Sequence, residues 1–307
     1  MTVPRLGTRG SLLALTQSKW VAAELETRGG PKVEIEVIRT VGDKRLDRPL
    51  HEISGKGLFT RELDEALLSE RVQLAVHSLK DLPTEQPEGL CIAATPTRVD
   101  PRDVLVGPEG NQTFLASLKK NAVVGTSSLR RVALLQAFRR DVTPCAIRGN
   151  VDTRLRKLDE GEFDAIILSA AGLSRLGLAR RVSEWLERTA WLPAPGQGAL
   201  AIVTRTDDAE TRRWVGALND PDSFAAVSAE RMFLEALGGG CQVPIGALGV
   251  PYDRKLRLWG LVASPDGRRV VRADLTGSLS DPQALGRALA DLLRDRGAEA
   301  ILAELDE

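Results

Sequence analysis

"PCAIRGNVDTRLRKLDEGEFDAIILSAAGL", residues 144–173, reads as one complete strand–loop–helix–strand unit. A short apolar run opens it, Arg148-Gly149-Asn150 make a loop, a helix follows and ends near Gly161, and "DAIILS", with an apolar centre, is a second strand. Strands that alternate with helices in this way predict a sheet with substantial parallel pairing.

The same grammar extends outward in both directions. "VPRLGTRGSLLALTQSKWVAAELETRGG" predicts a strand up to Gly7, a loop at 8–11, and a helix capped by Ser11 and stopped by Gly29-Gly30. Val33, Ile35 and Val37 then alternate as a strand does. "GKGLFTRELDEALLSE" predicts a helix entered through a glycine loop, and "VQLAVHSL" a buried strand interrupted at "KDLP" by Pro83. "AVVGTSSLRRVALLQAFRR" repeats strand, Ser/Thr loop and helix. The proline-bearing stretches "TPTRVDPRD" (95–103) and "LPAPGQGAL" (192–200) read as joints. Beyond Pro221 the pattern changes to a helix, strands around the hairpin signal "SPDG" (264–267), and a last helix from about Pro282, which predicts a smaller α+β domain.

The 307 residues are 43% hydrophobic and 27% charged, an ordinary globular composition long enough for two or three domains. Forty-two basic residues balance forty-two acidic ones, so nothing attracts nucleic acid through overall charge, and any basic site must be local. Cys91, Cys145 and Cys241 form no CxxC pair, which argues against structural zinc or a disulfide framework and fits a reducing compartment. The one early apolar run, "SLLAL", is too short for a secretory core, and no run reaches membrane-spanning length. A cytoplasmic protein with no membrane or nucleic-acid partner is expected.

Ligands of open α/β sheets collect at the carboxyl ends of the strands, against helix N-termini. Those positions carry Arg9, Ser11, Lys56, Lys80, Asp81, Thr126, Ser127, Ser128, Arg130, Arg131, Arg148 and Arg154. Any one of these arginines is ordinarily a solvated surface charge. Together they predict a site for a polyanion, since a helix start such as "SSLRR" normally favours acids in its first turn. Asp81 is the exception, a carboxylate kept ionised by neighbouring cations and suited to stabilising positive charge. His51 and His77 form no metal cluster, and His77, in mid-strand, reads as packed. "PGQGALA" (195–201) matches a GxGxxA nucleotide pattern only loosely, because prolines and not a strand precede it. In "LEALGGGCQVPIG" (234–246), three glycines precede Cys241; on that stretch alone they read first as a helix cap beside an inert thiol.

Over nearly the whole chain, "RLGTRGSLLAL", "GKGLFTREL", "AVHSLKDLPT", "VGTSSLRR", "RGNVDTRL", "DAIILSAAGL", "LPAPGQGAL" and "GGGCQVPIG" occur in an order that resembles the porphobilinogen deaminase family. The resemblance implies an α/β fold of two periplasmic-binding-protein-like lobes with mixed sheets, plus a small C-terminal α+β domain. It implies a first, discontinuous domain at 1–98 and 199–217, a second at 103–193 and a third at 221–307, with hinges near 95–103 and 192–200. It further implies a dipyrromethane cofactor in thioether linkage to Cys241, on which four porphobilinogen molecules condense head to tail into hydroxymethylbilane with loss of ammonia. Asp81 would stabilise the azafulvene cation. Arg9, Ser11, Lys56, Lys80, Thr126, Ser128, Arg130, Arg131, Arg148, Arg154 and Arg175 would hold carboxylates of the growing oligopyrrole chain. No metal is implied; a monomer is expected, with functional hand-over of product to uroporphyrinogen-III synthase.

Two departures stand out. Glu52 occupies a position where many bacterial relatives carry lysine, and Asp152 one where glycine is frequent. The polar segment "GDKRLDRPLHEISGKG" (42–57) has the composition of a lid. A non-catalytic two-lobed anion receptor would explain the lobes but predicts a secretion signal and gives Cys241 no task. A nucleic-acid binder built on the Arg-rich helix near 128–140 conflicts with the neutral charge and the 4% aromatic content.

Overall fold

In the computed structural model, which describes residues 3–40, 60–239 and 243–304, β1 (Arg5–Thr8) runs into a loop whose Ser11 caps α1 (Leu12–Thr27). The Ser11 hydroxyl accepts the Ala14 N–H at 3.2 Å, satisfying one of the donors a helix start leaves unpaired. There follow β2 (Glu34–Val37), α2 (Arg61–Leu68), β3 (Leu74–Ser78) and β4 (Leu90–Ala94). The chain then crosses into a second set: β5 (Asp103–Val106), β6 (Val123–Gly125), α3 (Leu129–Phe138), β7 (Thr143–Cys145), α4 (Val151–Asp159), β8 (Ala165–Ser169), α5 (Ala170–Arg175) and β9 (Glu184–Trp185). It returns through β10 (Leu200–Arg205) and α6 (Ala209–Gly216).

Each lobe is built on a five-stranded mixed sheet, and the two sheets share one plan. In the first, ordered β2-β1-β3-β10-β4, β1 is parallel to β2 and β3, while β10 is antiparallel to β3 and β4. In the second, ordered β7-β6-β8-β5-β9, β6 is parallel to β7 and β8, while β5 is antiparallel to β8 and β9. The antiparallel strand of each sheet is the one that has just arrived from the other lobe. β8 is apolar along its length because helices cover both its faces. Ile167 packs with Leu134 and Leu135 of α3, and Ile166 and Leu168 pack with Leu155 and Leu158 of α4.

The third unit comprises α7 (Pro221–Ala236), the antiparallel strands β11 (Ile245–Tyr252), β12 (Lys255–Ala263) and β13 (Val270–Ser278), then α8 (Pro282–Asp295) and α9 (Ala298–Ala303). Its sheet is covered on one face by Phe233 of α7 and Leu289 of α8. The other face sends Leu248, Leu261 and Ala263 into the core of the second lobe. At the end of α7, Gly238 takes φ +69°, its N–H donates to the Glu235 carbonyl, and the Gly239 N–H donates to the Leu234 carbonyl, both at 2.9 Å. That pair of bonds is a glycine-terminated helix cap, so the first two glycines of the "GGGC" stretch have a structural task. Gly240, Cys241 and Gln242 lie outside the described residues, as do 41–59, which include His51, Glu52, Lys56 and the lid-like segment.

Where the two crossings and the third unit meet, Glu230 of α7 is fully buried. Its carboxylate accepts from both terminal nitrogens of Arg98 (2.6 and 3.1 Å), from the Gly196 N–H (2.6 Å) and from the Gly249 N–H (2.7 Å). One charge thus ties the first crossing, the second crossing and β11 together. Because Glu230→Ala would strand Arg98 without its counter-charge, it is expected to lower the unfolding free energy by about 3–5 kcal/mol, read by urea denaturation. A loss under about 1 kcal/mol would mean the node is dispensable.

Candidate active site

The parallel strands of both sheets end toward a shared cleft. Arg9 and Ser11 follow β1, and Lys80 and Asp81 stand on a 3₁₀ turn (Leu79–Asp81) directly after β3. That turn is anchored by buried Leu79 and Leu82, and the extended Leu82 leads into Pro83 as a residue before proline must. From the second lobe, Thr126 and Ser128 follow β6, Arg148 follows β7, Arg154 lies on α4, and Arg175 ends α5. Gly172 of α5 approaches Leu13 of α1, so the lobes touch beside the cleft.

Several of these groups are already engaged. The Thr126 hydroxyl accepts the Ser128 N–H at 3.3 Å, Arg154 Nε donates to the Gly149 carbonyl at 2.8 Å, and Arg175 donates to the Gly198 carbonyl at 2.8 Å. Arg130 and Arg131 are both buried and turn inward onto Asp103, the first residue of β5, each at 2.8 Å. Asp103 also accepts Trp191 Nε1 at 3.0 Å and Gln197 Nε2 at 2.8 Å. Burial by itself would raise the Asp103 pKa, but the two guanidiniums override it and hold the carboxyl well below the usual carboxylate range. This answers why "SSLRR" places cations in a first turn: a buried carboxylate from the other crossing compensates them. Nε of each arginine is buried and has no hydrogen-bond partner among the described residues.

The electrostatics show which residues the fold brings together. Lys80 is pushed down to about 8, first by burial and then by Arg131, against the opposing pull of Asp81 and Asp103. Arg154 is pushed down to about 10 by burial, then by Arg131 and Arg148, with Asp81 opposing. Burial pushes Arg175 to about 10. Asp81, itself exposed, is therefore felt by a cation from each lobe. The cations outnumber the carboxylates around them, and the orphaned Nε atoms add unused donors. That donor set fits a group bearing several carboxylates, as a dipyrromethane does. Asp152 faces solvent in the first turn of α4, where an acid suits the helix N-terminus. Among the described residues, no group of three or more His, Cys, Asp or Glu could hold a metal ion.

A family model described as "Porphobilinogen deaminase, dipyromethane cofactor binding domain" matches residues 5–213, and one described as "Porphobilinogen deaminase, C-terminal domain" matches 224–295. The chain belongs to the porphobilinogen deaminase family. It is 50% identical to the porphobilinogen deaminase of Syntrophobacter fumaroxidans, over 99% of this chain and 98% of that one. The enzyme of Roseiflexus castenholzii is also 50% identical, over 97% of this chain and 98% of its own. That of Geobacillus kaustophilus is 48% identical, over 97% and 96%. Among solved structures, immunogenic lipoprotein A from Vibrio vulnificus is similar at a TM-score of 0.44 and 13% identity, over 74% of this chain and 99% of that one. The enzyme is accordingly a transferase with a dipyrromethane cofactor, and the matched cofactor-binding region spans both lobes.

Asp103, Glu230 and Gln197 escape a reading based on strand ends. Asp103 looks like an unremarkable acid after a proline-rich joint, and only the crossing of the two joints shows what it faces. His77 is packed, as its mid-strand position predicts. It pairs with Ala201 across β3 and β10, and burial, with Arg9 nearby, pushes it down to about 4. A buried neutral imidazole confers stability that is complete above its unfolded pKa of 6.5 and lost as pH falls toward 4. Urea denaturation should therefore show the wild type losing stability over that window, and His77→Gln losing less of it. Parallel curves for the two proteins would contradict a neutral His77.

Proposed function

We propose that this porphobilinogen deaminase carries its cofactor on Cys241 and condenses four porphobilinogen molecules into hydroxymethylbilane in the cleft between the lobes, with Asp81 as the catalytic carboxylate. The observation that carries this reading is the convergence on Asp81 of Lys80 from one lobe and Arg154 from the other. When bound, dipyrromethane supplies the free pyrrole α-carbon to which the first substrate is joined, and it stays behind when product leaves.

Each porphobilinogen brings an acetate and a propionate, so every addition delivers two more carboxylates. Arg9, Ser11, Lys80 and Lys56 would hold them from the first lobe. Thr126, Ser128, Arg130, Arg131, Arg148, Arg154 and Arg175 would hold them from the second. A charge-assisted hydrogen bond contributes about 1.5–3 kcal/mol, and several acting together hold a polyanion against thermal escape. Loss of ammonia from the substrate's aminomethyl group leaves a cationic azafulvene. Asp81, fixed on its short turn, stabilises that charge where it develops and hydrogen-bonds pyrrole N–H groups. The free α-carbon of the chain attacks the azafulvene methylene, and once the carbon–carbon bond has formed that α-carbon gives up its proton, for which Asp81 is the carboxylate within the cation cluster.

The lengthening chain needs room. The crossings near 95–103 and 192–200 serve as hinges between domain 1 (1–98 and 199–217) and domain 2 (103–193), with domain 3 (221–307) presenting Cys241. We place the enzyme in the cytoplasm as a monomer that hands its product to uroporphyrinogen-III synthase. No helix among the described residues is long and apolar enough to cross a membrane.

Peptide mass spectrometry of freshly purified protein is expected to find two pyrrole units on Cys241. Cys241→Ala should abolish both the adduct and turnover. Asp81→Asn should retain the adduct but lose about 10²–10³-fold in kcat, since it removes the charge that faces the developing cation. An unmodified thiol in fully active enzyme would overturn the anchoring role, and near-normal turnover of Asp81→Asn would remove Asp81 from catalysis.

A further inference from the structure

"PGQG" (195–198), too weak a pattern to indicate a nucleotide, has another use in the fold. Gly196 and Gly198 take φ of +74° and +89°, and a Cβ on Gly198 would stand 2.5 Å from the Val99 carbonyl oxygen. Gly198 lets the second crossing lie directly on the first and Gly196 lets it pass close to Leu79, with Gln197 completely buried between them. The Gln197 amide is fully used. Its Nε2 donates to the Pro101 carbonyl at 2.7 Å and to Asp103 at 2.8 Å, while its Oε1 accepts from Lys80 Nζ at 3.2 Å and from Arg131 at 3.5 Å. Turning the amide over would set its NH₂ against two cations and its oxygen against two acceptors, so the charges around it dictate its orientation.

We propose that Gln197 is a positioning residue for the reaction: its amide, pinned by both crossings, fixes where the Lys80 ammonium stands and couples it to the Asp103–Arg131 pair of the other lobe. This rests on the reading of Lys80 as a carboxylate holder and names the group that sets it in place. Lys80 is a cation that needs such help. Arg130 and Arg131 of α3 face it with like charge, and among the described residues Asp81 on its own turn and Asp103 on β5 oppose them. With its pKa at about 8, Lys80 is charged below that pH and neutral above it. An acceptor on the ammonium favours the charged form, so removing Oε1 moves the titration to lower pH.

The test is a pH series of brief acetic anhydride labelling of the purified holoenzyme, with acetylation of Lys80 read by peptide mass spectrometry. Gln197→Met, similar in size but with no polar atom, should lower the Lys80 labelling midpoint by about one pH unit. The alkaline limb of kcat/KM should move with it. Trp191→Phe, which removes a different donor from Asp103, should lower Tm and leave the midpoint in place. If Gln197→Met does not accumulate as folded protein, Gln197→Asn, which draws the same amide back by one methylene, should move the midpoint the same way by less. An unmoved midpoint in a folded Gln197 variant, or an equal shift in Trp191→Phe, overturns the proposal. The underlying reading fails separately: Lys80→Met with unchanged KM and unchanged adduct formation would remove Lys80 from carboxylate binding altogether.

Discussion

A single buried carboxylate governs how this molecule is put together. Asp103 is fully buried at the first position of β5 and meets two arginines, an indole N–H and a carboxamide. Removing such a charge from water costs several kcal/mol, and the arrangement is stable only because every donor arrives with good geometry. Those donors come from α3 and from residues 191–197 of the returning crossing. The second lobe therefore cannot close its sheet without also setting the path back to the first. Glu230 imposes a similar condition from the third unit, binding Arg98 on one crossing and the Gly196 N–H on the other. Between them, the two carboxylates fix the zone about which the lobes are related.

The cleft takes its character from this arrangement. A chain with no net charge sets Lys80 and Arg154 within electrostatic reach of one exposed aspartate, and burial leaves Lys80, Arg154 and Arg175 less firmly protonated than they would be in water. Such a cluster raises the energy of the unliganded protein. A ligand rich in carboxylates relieves it, so binding and stability are linked through the same charges. The family's dipyrromethane and its pyrrole substrates have that chemistry.

Much of this was legible in the residues. Ser11 caps its helix, the 144–173 unit folds as strand, helix and strand, "SPDG" turns between β12 and β13, and the glycines after Leu237 terminate α7. Each depends on neighbours a few residues away, which a linear reading contains. Arg130 and Arg131 show its limit. Their place after a strand was legible, but Asp103, the buried carboxylate that pairs with both, lies more than twenty-five residues earlier in sequence. Gln197 was visible only as part of a poor nucleotide pattern, because its four partners come from three separate segments.

By itself, then, the sequence determined the alternation of strands and helices, the joints between lobes, the residues available at strand ends and the family they resemble. Periodicity, capping and turn chemistry are local, and ordered motifs survive without coordinates. Only the tertiary structure decided that Arg130 and Arg131 both engage Asp103, and that Gln197 stands between Lys80 and the second lobe. Those outcomes depend on two distant crossings lying against each other, where burial makes each charge seek a partner that proximity along the chain does not supply.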